Sequence, residues 1–219
     1  MSEKAPTRPL NFVRLPAEEM TSRSQAWLEE LSRRRSVRHF SSEPIPMDVL
    51  DRCISAAGTA PSGAHKQPWT FVVVTDPDTR REIRERAEKE ERDFYERRAS
   101  DRWLKDLEPL GTNAEKPMLE EAPVLIAVFA QVRGEVLESQ HYYVQESVGI
   151  AVGFLLSALH RSGLCALTHT PSPMRFLGEI LERPESERPF LLIPVGYPIE
   201  ECHVPELERK TLSQIRIRR

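Results

Sequence analysis

The sequence is poor in cysteine and has no cluster of metal-binding side chains. Its three cysteines, Cys53, Cys165 and Cys202, are far apart, and none lies in a CxxC or Cys/His arrangement. The six histidines are scattered, and none is spaced to bind a metal together with another histidine or a cysteine. An odd number of separated thiols is typical of reduced cysteines in a cytosolic protein. We therefore expect no disulfide framework, no metal site and a cytoplasmic location.

The sequence also lacks a hydrophobic run long enough to cross a membrane. The longest run, GIAVGFLLSAL at 149–159, is well short of the roughly 20 residues that a spanning helix needs. The N-terminal stretch MSEKAPTRPL has no apolar core, so no signal peptide is visible. We expect a soluble protein without a membrane partner.

Charge of one sign does not dominate, since 31 basic and 34 acidic residues give a formal net charge of −3. A nucleic-acid-binding domain carries a basic stripe, so we expect no nucleic-acid partner. The GxGxxG, GxxxxGK[ST], HExxH and GxSxG motifs are all absent. A dinucleotide-binding Rossmann site, a P-loop and a zinc protease are therefore unsupported.

What the sequence does contain is a mixture of helical and strand patterns over 219 residues, a length that suits one domain or two small ones. Helical spacing predicts helices, and β-branched runs predict buried strands. The two kinds of element do not strictly alternate, so an α+β fold is favoured over a doubly wound sheet. The predicted helices cover 16–34, 46–58, 77–98, 141–162 and 174–182; the strands cover 69–75, 122–130 and 189–198; and 99–116 is predicted to be irregular.

Two glycines interrupt the long helix predicted over 141–162. Gly149 and Gly153 are four residues apart, and glycine costs about 1 kcal/mol in a helix interior. Either another helix approaches closely there, from this subunit or a partner, or the small residues pack against the sheet.

The segment RRRSVRHF (33–40) holds four arginines around one serine. Guanidinium groups and a hydroxyl suit a phosphate, because their donors match its oxygens and the bonds are charge-assisted. The alternative is a solvated charge run at the end of a helix. Some 25 residues later, TAPSGAHKQPW (59–69) contains a Pro-Ser-Gly turn that would expose backbone N–H groups to a ligand.

These segments occur in an order that resembles a known family. Together with EKEERDFYERR (88–98), HYYVQESV (141–148), THTP (168–171) and LLIPVGYP…VPELERKTLSQI (191–215), they resemble the iodotyrosine deiodinases, a branch of the FMN-dependent nitroreductase superfamily. The resemblance runs from about residue 30 to residue 215.

The resemblance implies a single nitroreductase-like α+β domain over 1–219, with a mixed or antiparallel sheet flanked by helices. It also implies a domain-swapped homodimer with noncovalent FMN at each interface. Within the domain we expect an N-terminal arm (1–20), a substrate lid (88–117) and an extended C-terminal segment (199–219). The cofactor-binding residues implied by the resemblance are Arg34, Arg35, Ser36 and Arg209 at the phosphate, Val37 beside them, Arg38 at the ring system, Ser62 and Gly63 along the isoalloxazine, and Thr168, His169 and Thr170 at its edge, with Thr170 donating to N5.

The substrate-binding residues implied by the resemblance are Glu91, Tyr95, Lys116 and Ala64. Glu91 and Tyr95 are four residues apart on a predicted helix and share a face, and Lys116 could close over them. Glu91 would bind the ammonium group of a halotyrosine, Lys116 its carboxylate, and Tyr95 would add a hydrogen bond. Each residue taken alone is interpreted as a solvated charge on a polar helix. Because all three occur at the family's positions, we favour a substrate clamp formed by Glu91, Tyr95 and Lys116.

The implied function is reductive removal of iodide from 3-iodotyrosine and diiodotyrosine, leaving tyrosine. An aryl C–I bond resists ordinary nucleophiles, so the electrons must come from a cofactor, here by one-electron steps. The N–H of Ala64 would stabilise the substrate phenolate, and Thr170 would assist at N5. The electron source would be NAD(P)H or a reductase. The alternatives are a general FMN nitroreductase or quinone reductase on the same fold, and a flavin- or tyrosine-derivative-binding protein without turnover.

The sequence departs from the family pattern in two places. His169 stands where the family carries a third threonine; its imidazole either shifts the flavin potential or faces away, and we favour the second. The animal enzymes have an N-terminal membrane anchor that this sequence lacks.

Overall fold

The computed structural model describes residues 6–134 and 140–219, so the first five residues of the predicted arm and part of the linker before 141 lie outside it. Contacts divide the chain into a short N-terminal unit, Met1–Arg34, and a main unit, Arg35–Arg219. In the N-terminal unit, α1 (Ala17–Ser32) begins within the range predicted for the arm, and none of its residues is buried.

The main unit contains the elements on which the site is built. Its strands are β1 (Trp69–Val74), β2 (Val124–Gln131), β3 (Cys165–Ala166) and β4 (Glu187–Gly196). Its helices are α2 (Met47–Ala57), α3 (Pro77–Asp93), α4 (Asp101–Leu107), α5 (Met118–Glu121), α6 (Val144–Arg161), α7 (Arg175–Ile180) and α8 (Leu212–Ile215).

The strands form one sheet in the order β1-β2-β4-β3, and each neighbouring pair is antiparallel. The central strand β2 is an unbroken apolar run because both of its faces are covered. Ile126 and Val128 pack with α2 and α6 on one side of the sheet, whereas Leu125 and Phe129 pack with α3 and α7 on the other. The predicted α+β architecture with an antiparallel sheet and flanking helices is confirmed.

Helix α3 leads from the sheet to the lid. Asp76 caps it by accepting a hydrogen bond from the Thr79 N–H at 2.8 Å, and Pro77 occupies the first turn. The helix continues as a π-helical turn, Phe94–Arg98. The next stretch, predicted to be irregular, contains α4, so that prediction was wrong. Ser100 starts α4 by accepting a hydrogen bond from the Trp103 N–H at 3.3 Å.

The two glycines of helix α6 do not pack against other residues of the described chain. A Cβ built on Gly149 or Gly153 meets nothing within 4 Å. The alternative in which these small residues pack against the sheet is therefore wrong. Ile150 and Phe154 lie beside the glycines and are 42% and 44% exposed, so this side of α6 is an open apolar face.

The C-terminal segment runs alongside the start of the main unit. The Ser41 N–H donates to the Tyr197 carbonyl at 2.9 Å, and the Ile199 N–H donates to the His39 carbonyl at 3.2 Å. Within the C-terminal segment, α8 is capped by Thr211 and Gln214, which form a capping box. In the described part of the chain, no helix combines the length and apolarity that membrane crossing requires.

Candidate functional site

Two buried charges meet within the segment predicted to form the lid, 88–117. The Nζ atom of Lys116 lies 3.2 Å from Oε2 of Glu91, although the two residues come from different ends of the segment 88–117. Their side chains are only 3% and 13% exposed. Burial raises the pKa of Glu91 and lowers the pKa of Lys116, because each charge loses hydration. Each therefore depends on an opposite charge as its partner.

Tyr95 lies beside this pair. The Lys116 ammonium lies 5.6 Å from the centroid of the Tyr95 ring, within the range of a cation–π contact. Burial raises the pKa of the Tyr95 phenol, and a hydrogen bond from Thr112 partly opposes that rise. Arg38 is close enough to act electrostatically on Tyr95 and on Lys116, and burial lowers its own pKa. One ammonium, one carboxylate, one phenol and one guanidinium thus share a small volume.

Hydrogen bonds hold the segment predicted to form the lid, 88–117, at two places. Its two ends are joined, because the backbone N–H of Lys116 donates to Oε1 of Glu88 on α3 at 2.8 Å. In its interior, Arg98 donates to the Ser172 carbonyl at 2.6 Å and to the Glu90 carbonyl at 2.7 Å. Arg98 therefore links the π-helical turn to the segment that follows the predicted flavin-edge residues.

Those residues alternate between two sides of their chain. Thr168 and Thr170 are exposed, whereas the His169 side chain is 11% exposed and lies toward the lid, with its Nε2 atom 3.9 Å from Oε1 of Glu91. Burial, with the positive charges of Lys116 and Arg38, lowers the pKa of His169 to about 3. The imidazole is thus neutral at neutral pH. It lies on the opposite side from the two threonines, next to the clamp.

The turn over 61–67 presents a strained backbone at an exposed position. Ala64 has φ 49° and ψ 29°, and His65 and Gln67 also have positive φ. Such left-handed conformations of non-glycine residues cost roughly 1 kcal/mol or more and cluster at functional sites. Among residues 6–134 and 140–219, the N–H of Ala64 has no hydrogen-bond acceptor.

Glycine is required at position 63 for a reason that the sequence does not show. A Cβ on Gly63 would stand 2.8 Å from the Tyr142 carbonyl oxygen and 3.0 Å from the Tyr143 ring. The close approach is therefore made by the start of α6. Neighbouring Ser62 accepts a hydrogen bond from the Gln67 N–H at 2.9 Å, which holds the turn in shape.

The arginine segment is placed against the C-terminal segment. The Arg35 guanidinium donates to the Pro205 carbonyl, four residues before Arg209 in the sequence. The Val37 N–H donates to the Ala166 carbonyl at 3.3 Å, and the Val37 side chain is buried in an apolar cluster. Arg35, Ser36 and Arg38 are half-buried, whereas Arg209 is exposed. Arg34 ends the N-terminal unit.

This donor set fits a phosphate-bearing aromatic cofactor. Half-buried Arg35, Ser36 and Arg38 supply cationic and hydroxyl donors, and the exposed Ala64 N–H and Thr170 hydroxyl supply neutral ones. In contrast, the described ranges contain no group of three or more His, Cys, Asp or Glu side chains arranged around a possible metal ion.

Three contributors to the site were missed from the sequence, namely Glu88, Arg98 and Thr112. Glu88 and Arg98 read as members of a polar helix, and Thr112 lies in a stretch without periodicity. Only their contacts across the lid reveal them, although the segment 88–98 was already singled out by its resemblance.

Comparisons with known proteins show what the chain is similar to. The nitroreductase family matches residues 31–197. The chain is 52% identical to the iodotyrosine deiodinase of Haliscomenobacter hydrossis, with 99% of each chain covered. It is 47% identical to human iodotyrosine deiodinase 1, over 95% of this chain and 74% of that one.

A solved structure is similar as well. It is the crystal structure of oxidised iodotyrosine deiodinase bound to FMN and 3-iodo-L-tyrosine, which matches with a TM-score of 0.75 and 31% identity. The match covers 85% of this chain and 96% of that one.

Proposed function

The chain belongs to the nitroreductase family, in the branch of the iodotyrosine deiodinases, and from this we infer that it removes iodide reductively from halotyrosines with FMN as its cofactor. It is a flavin-dependent oxidoreductase. The reaction replaces an aryl C–I bond with a C–H bond, consumes two electrons and one proton, and releases iodide and tyrosine.

The clamp selects the amino-acid end of the substrate. Glu91 binds the substrate ammonium, Lys116 binds the substrate carboxylate, and the Tyr95 hydroxyl adds a hydrogen bond. Because the two protein charges already face each other at 3.2 Å, a zwitterion inserts one positive and one negative group between them. The net charge of the site is then unchanged, and neither buried charge is left without a partner.

The cofactor is held at its phosphate by Arg34, Arg35, Ser36 and Arg209, and at its ring system by Arg38, Ser62 and Gly63. The contact of Arg35 with the Pro205 carbonyl supports this assignment, because it brings the arginine segment close to the C-terminal segment, which carries Arg209. Val37 contributes its backbone position, since its side chain is buried in the fold.

The remaining residues act at the substrate ring. Bound FMN supplies the electrons for the reaction. The unpaired N–H of Ala64 donates to the substrate phenolate, in the manner of an oxyanion hole. The exposed Thr170 hydroxyl would donate toward flavin N5, with exposed Thr168 on the same side of the chain and His169 on the opposite side. The lid, 88–117, excludes water when it closes.

The active form is a homodimer in which a second copy covers the open face of α6. That face contains Gly149, Ile150, Gly153 and Phe154, and Ile150 and Phe154 are large apolar side chains left exposed. Exposed Leu212 and Ile215 of the C-terminal segment give the partner further apolar surface. The electrons come from NAD(P)H or from a reductase.

A cytoplasmic location is supported by the cysteines, all of which are free thiols. Reduced thiols are the usual state in that compartment.

One observation carries the assignment of substrate: Glu91, Tyr95 and Lys116 meet in the structure. The test is anaerobic reaction of the reduced holoprotein with 3-iodotyrosine and, separately, with nitrobenzene. For Glu91→Gln we expect the KM for 3-iodotyrosine to rise roughly 10- to 100-fold, as loss of a charged hydrogen bond implies. Reduction of nitrobenzene should be nearly unchanged.

The control is Glu96→Gln, because Glu96 is an exposed carboxylate on the π-helical turn that directly follows α3; it should leave both reactions unchanged. Equal loss of both reactions in Glu91→Gln would favour a general nitroreductase. Binding of 3-iodotyrosine without release of iodide would favour a binding protein.

A further inference from the structure

The backbone of His169 is held on the sheet. The His169 N–H donates to the Leu192 carbonyl and the Leu192 N–H donates to the His169 carbonyl, both at 2.9 Å. Leu192 lies on β4 and is fully buried. Position 169 is therefore fixed by the core, whereas Glu91 and Lys116 belong to the lid that closes over it.

The side chain presents an unpartnered nitrogen to the clamp. The Nε2 atom of His169 is buried and has no hydrogen-bond partner in the part of the chain that the structure describes. A buried polar atom without a partner costs roughly 1–3 kcal/mol, so such an atom calls for an explanation. The nearest carboxylate oxygen is Oε1 of Glu91 at 3.9 Å.

The two oxygens of Glu91 have different surroundings. Oε2 is paired with Lys116 at 3.2 Å, whereas Oε1 faces His169 from beyond hydrogen-bond distance. A shift of about 1 Å would bring Nε2–H and Oε1 to the usual N–H···O separation of roughly 2.9 Å. A substrate that draws Lys116 toward its own carboxylate loosens the 3.2 Å pair and frees Glu91 to make that shift.

We propose that His169 is a positioning residue for substrate binding: in the substrate complex, its Nε2–H donates to Oε1 of Glu91 and orients the carboxylate that receives the substrate ammonium. This inference rests on the proposed function, because it assigns Glu91 to the ammonium group. It gives the flavin-edge segment 168–170 two roles, since its threonines face one side and its histidine fixes the clamp on the other. A threonine at position 169 is too short to make the same contact.

The experiment measures dissociation constants of the oxidised holoprotein for 3-iodotyrosine and for 2-iodophenol by quenching of flavin fluorescence. The variants are His169→Leu, which removes the donor at similar volume, and His169→Gln, whose amide N–H reaches a similar position. Each is made alone and together with Glu91→Gln.

We expect His169→Leu to weaken 3-iodotyrosine binding about tenfold, as loss of a hydrogen bond to a charged group implies. His169→Gln should stay within about threefold of the parent protein. Binding of 2-iodophenol, which has no ammonium group, should not change. In the Glu91→Gln background, His169→Leu should have little further effect, because no carboxylate then remains to be oriented toward the substrate ammonium.

Equal weakening of both ligands would overturn the proposal and assign His169 a purely structural role, as would unchanged binding of 3-iodotyrosine. Additive effects with Glu91→Gln would overturn it too. If His169→Leu does not retain flavin, His169→Thr makes the same comparison with a smaller change. Failure of the proposed function would look different, because the parent protein itself would then not prefer 3-iodotyrosine over 2-iodophenol.

Discussion

At the scale of single residues, the site is a set of polar side chains that are buried together in the fold. Glu91 and Lys116 stabilise each other as an ion pair, whereas His169 is kept neutral by burial and by the cations beside it. Such perturbed groups cluster at functional sites, because binding and catalysis need charges held away from water.

The neutral state of His169 makes stability depend on pH. Burial lowers its pKa from 6.5 to about 3 in the folded protein, whereas the unfolded chain binds a proton near pH 6.5. Between these values the unfolded state binds more protons, so the free energy of unfolding falls as the pH is lowered. Above pH 6.5 this group has no such effect.

We therefore expect the parent protein to lose roughly 1–2 kcal/mol more stability than His169→Gln between pH 7 and pH 5. Urea denaturation of both proteins at the two pH values measures the difference. Identical losses would show that the imidazole is protonated as easily in the fold as in the unfolded chain.

The sequence reveals some of these residues and not others. Glu91 and Tyr95 share a face by helical spacing, which periodicity alone predicts. Lys116 follows a stretch without periodicity, so its place was available only through the resemblance. The contact between His169 and Glu91 depends on how the lid meets β4, and no local pattern encodes that distance.

At the scale of elements, helix α3 continues into a π-helical turn at the site. The π-helical turn, Phe94–Arg98, carries Tyr95, and such turns are frequent at functional positions. Arg98 then anchors this turn to the Ser172 carbonyl.

We expect Arg98→Gln to loosen the lid. Loss of its charged hydrogen bonds to the Ser172 and Glu90 carbonyls should raise the KM for 3-iodotyrosine about tenfold, with FMN retained. Limited trypsin digestion should also cut the variant faster within 88–117, where Arg102 and Lys105 are exposed.

The matched control is Arg97→Gln, because Arg97 is 76% exposed and pairs only loosely with Asp93 at 3.5 Å. It should leave the KM close to that of the parent protein. If both variants are cut at the parent rate across the lid's other sites, Arg98 does not anchor the lid.

The elements themselves are largely predictable where a strong local signal exists. Asp76 and Pro77 mark the start of α3, and the apolar runs mark β1, β2 and β4. Helix α4 was missed because it is only seven residues long, so its apolar residues Trp103, Leu104 and Leu107 do not repeat often enough to establish a helical period. Helix α1 was predicted correctly, yet Met20 and Leu28 are 57% and 60% exposed, since spacing indicates a face without saying what covers it.

At the scale of the whole molecule, contacts within one chain do not account for the open apolar face of α6. Glycines 149 and 153 each cost about 1 kcal/mol within a helix, and no atom of the described chain stands where their Cβ atoms would be. A close approach by a second copy would give both glycines a purpose.

We expect Gly153→Ala to weaken the homodimer. An added methyl group at a close helix contact should cost roughly 1–3 kcal/mol, so the dimer dissociation constant should rise about tenfold or more. Sedimentation equilibrium over a dilution series measures it.

Gly178→Ala is the control, because its added Cβ also meets nothing within 4 Å but lies on α7. It should gain stability from helix propensity and leave the dimer unchanged. If Gly153→Ala behaves in the same way, the α6 face is not the interface.

The whole account depends on recognition of both charges of the substrate by Glu91 and Lys116. The most direct measurement is binding of four ligands to the oxidised holoprotein: 3-iodotyrosine, 3-iodotyramine, 3-(4-hydroxy-3-iodophenyl)propionate and 2-iodophenol. We predict that 3-iodotyrosine binds at least 100-fold more tightly than the others, since two charged hydrogen bonds contribute roughly 3–6 kcal/mol. The two ligands with a single charge should gain little over 2-iodophenol, because each leaves one buried protein charge without a partner. Binding of either single-charge ligand as tightly as 3-iodotyrosine would contradict the account.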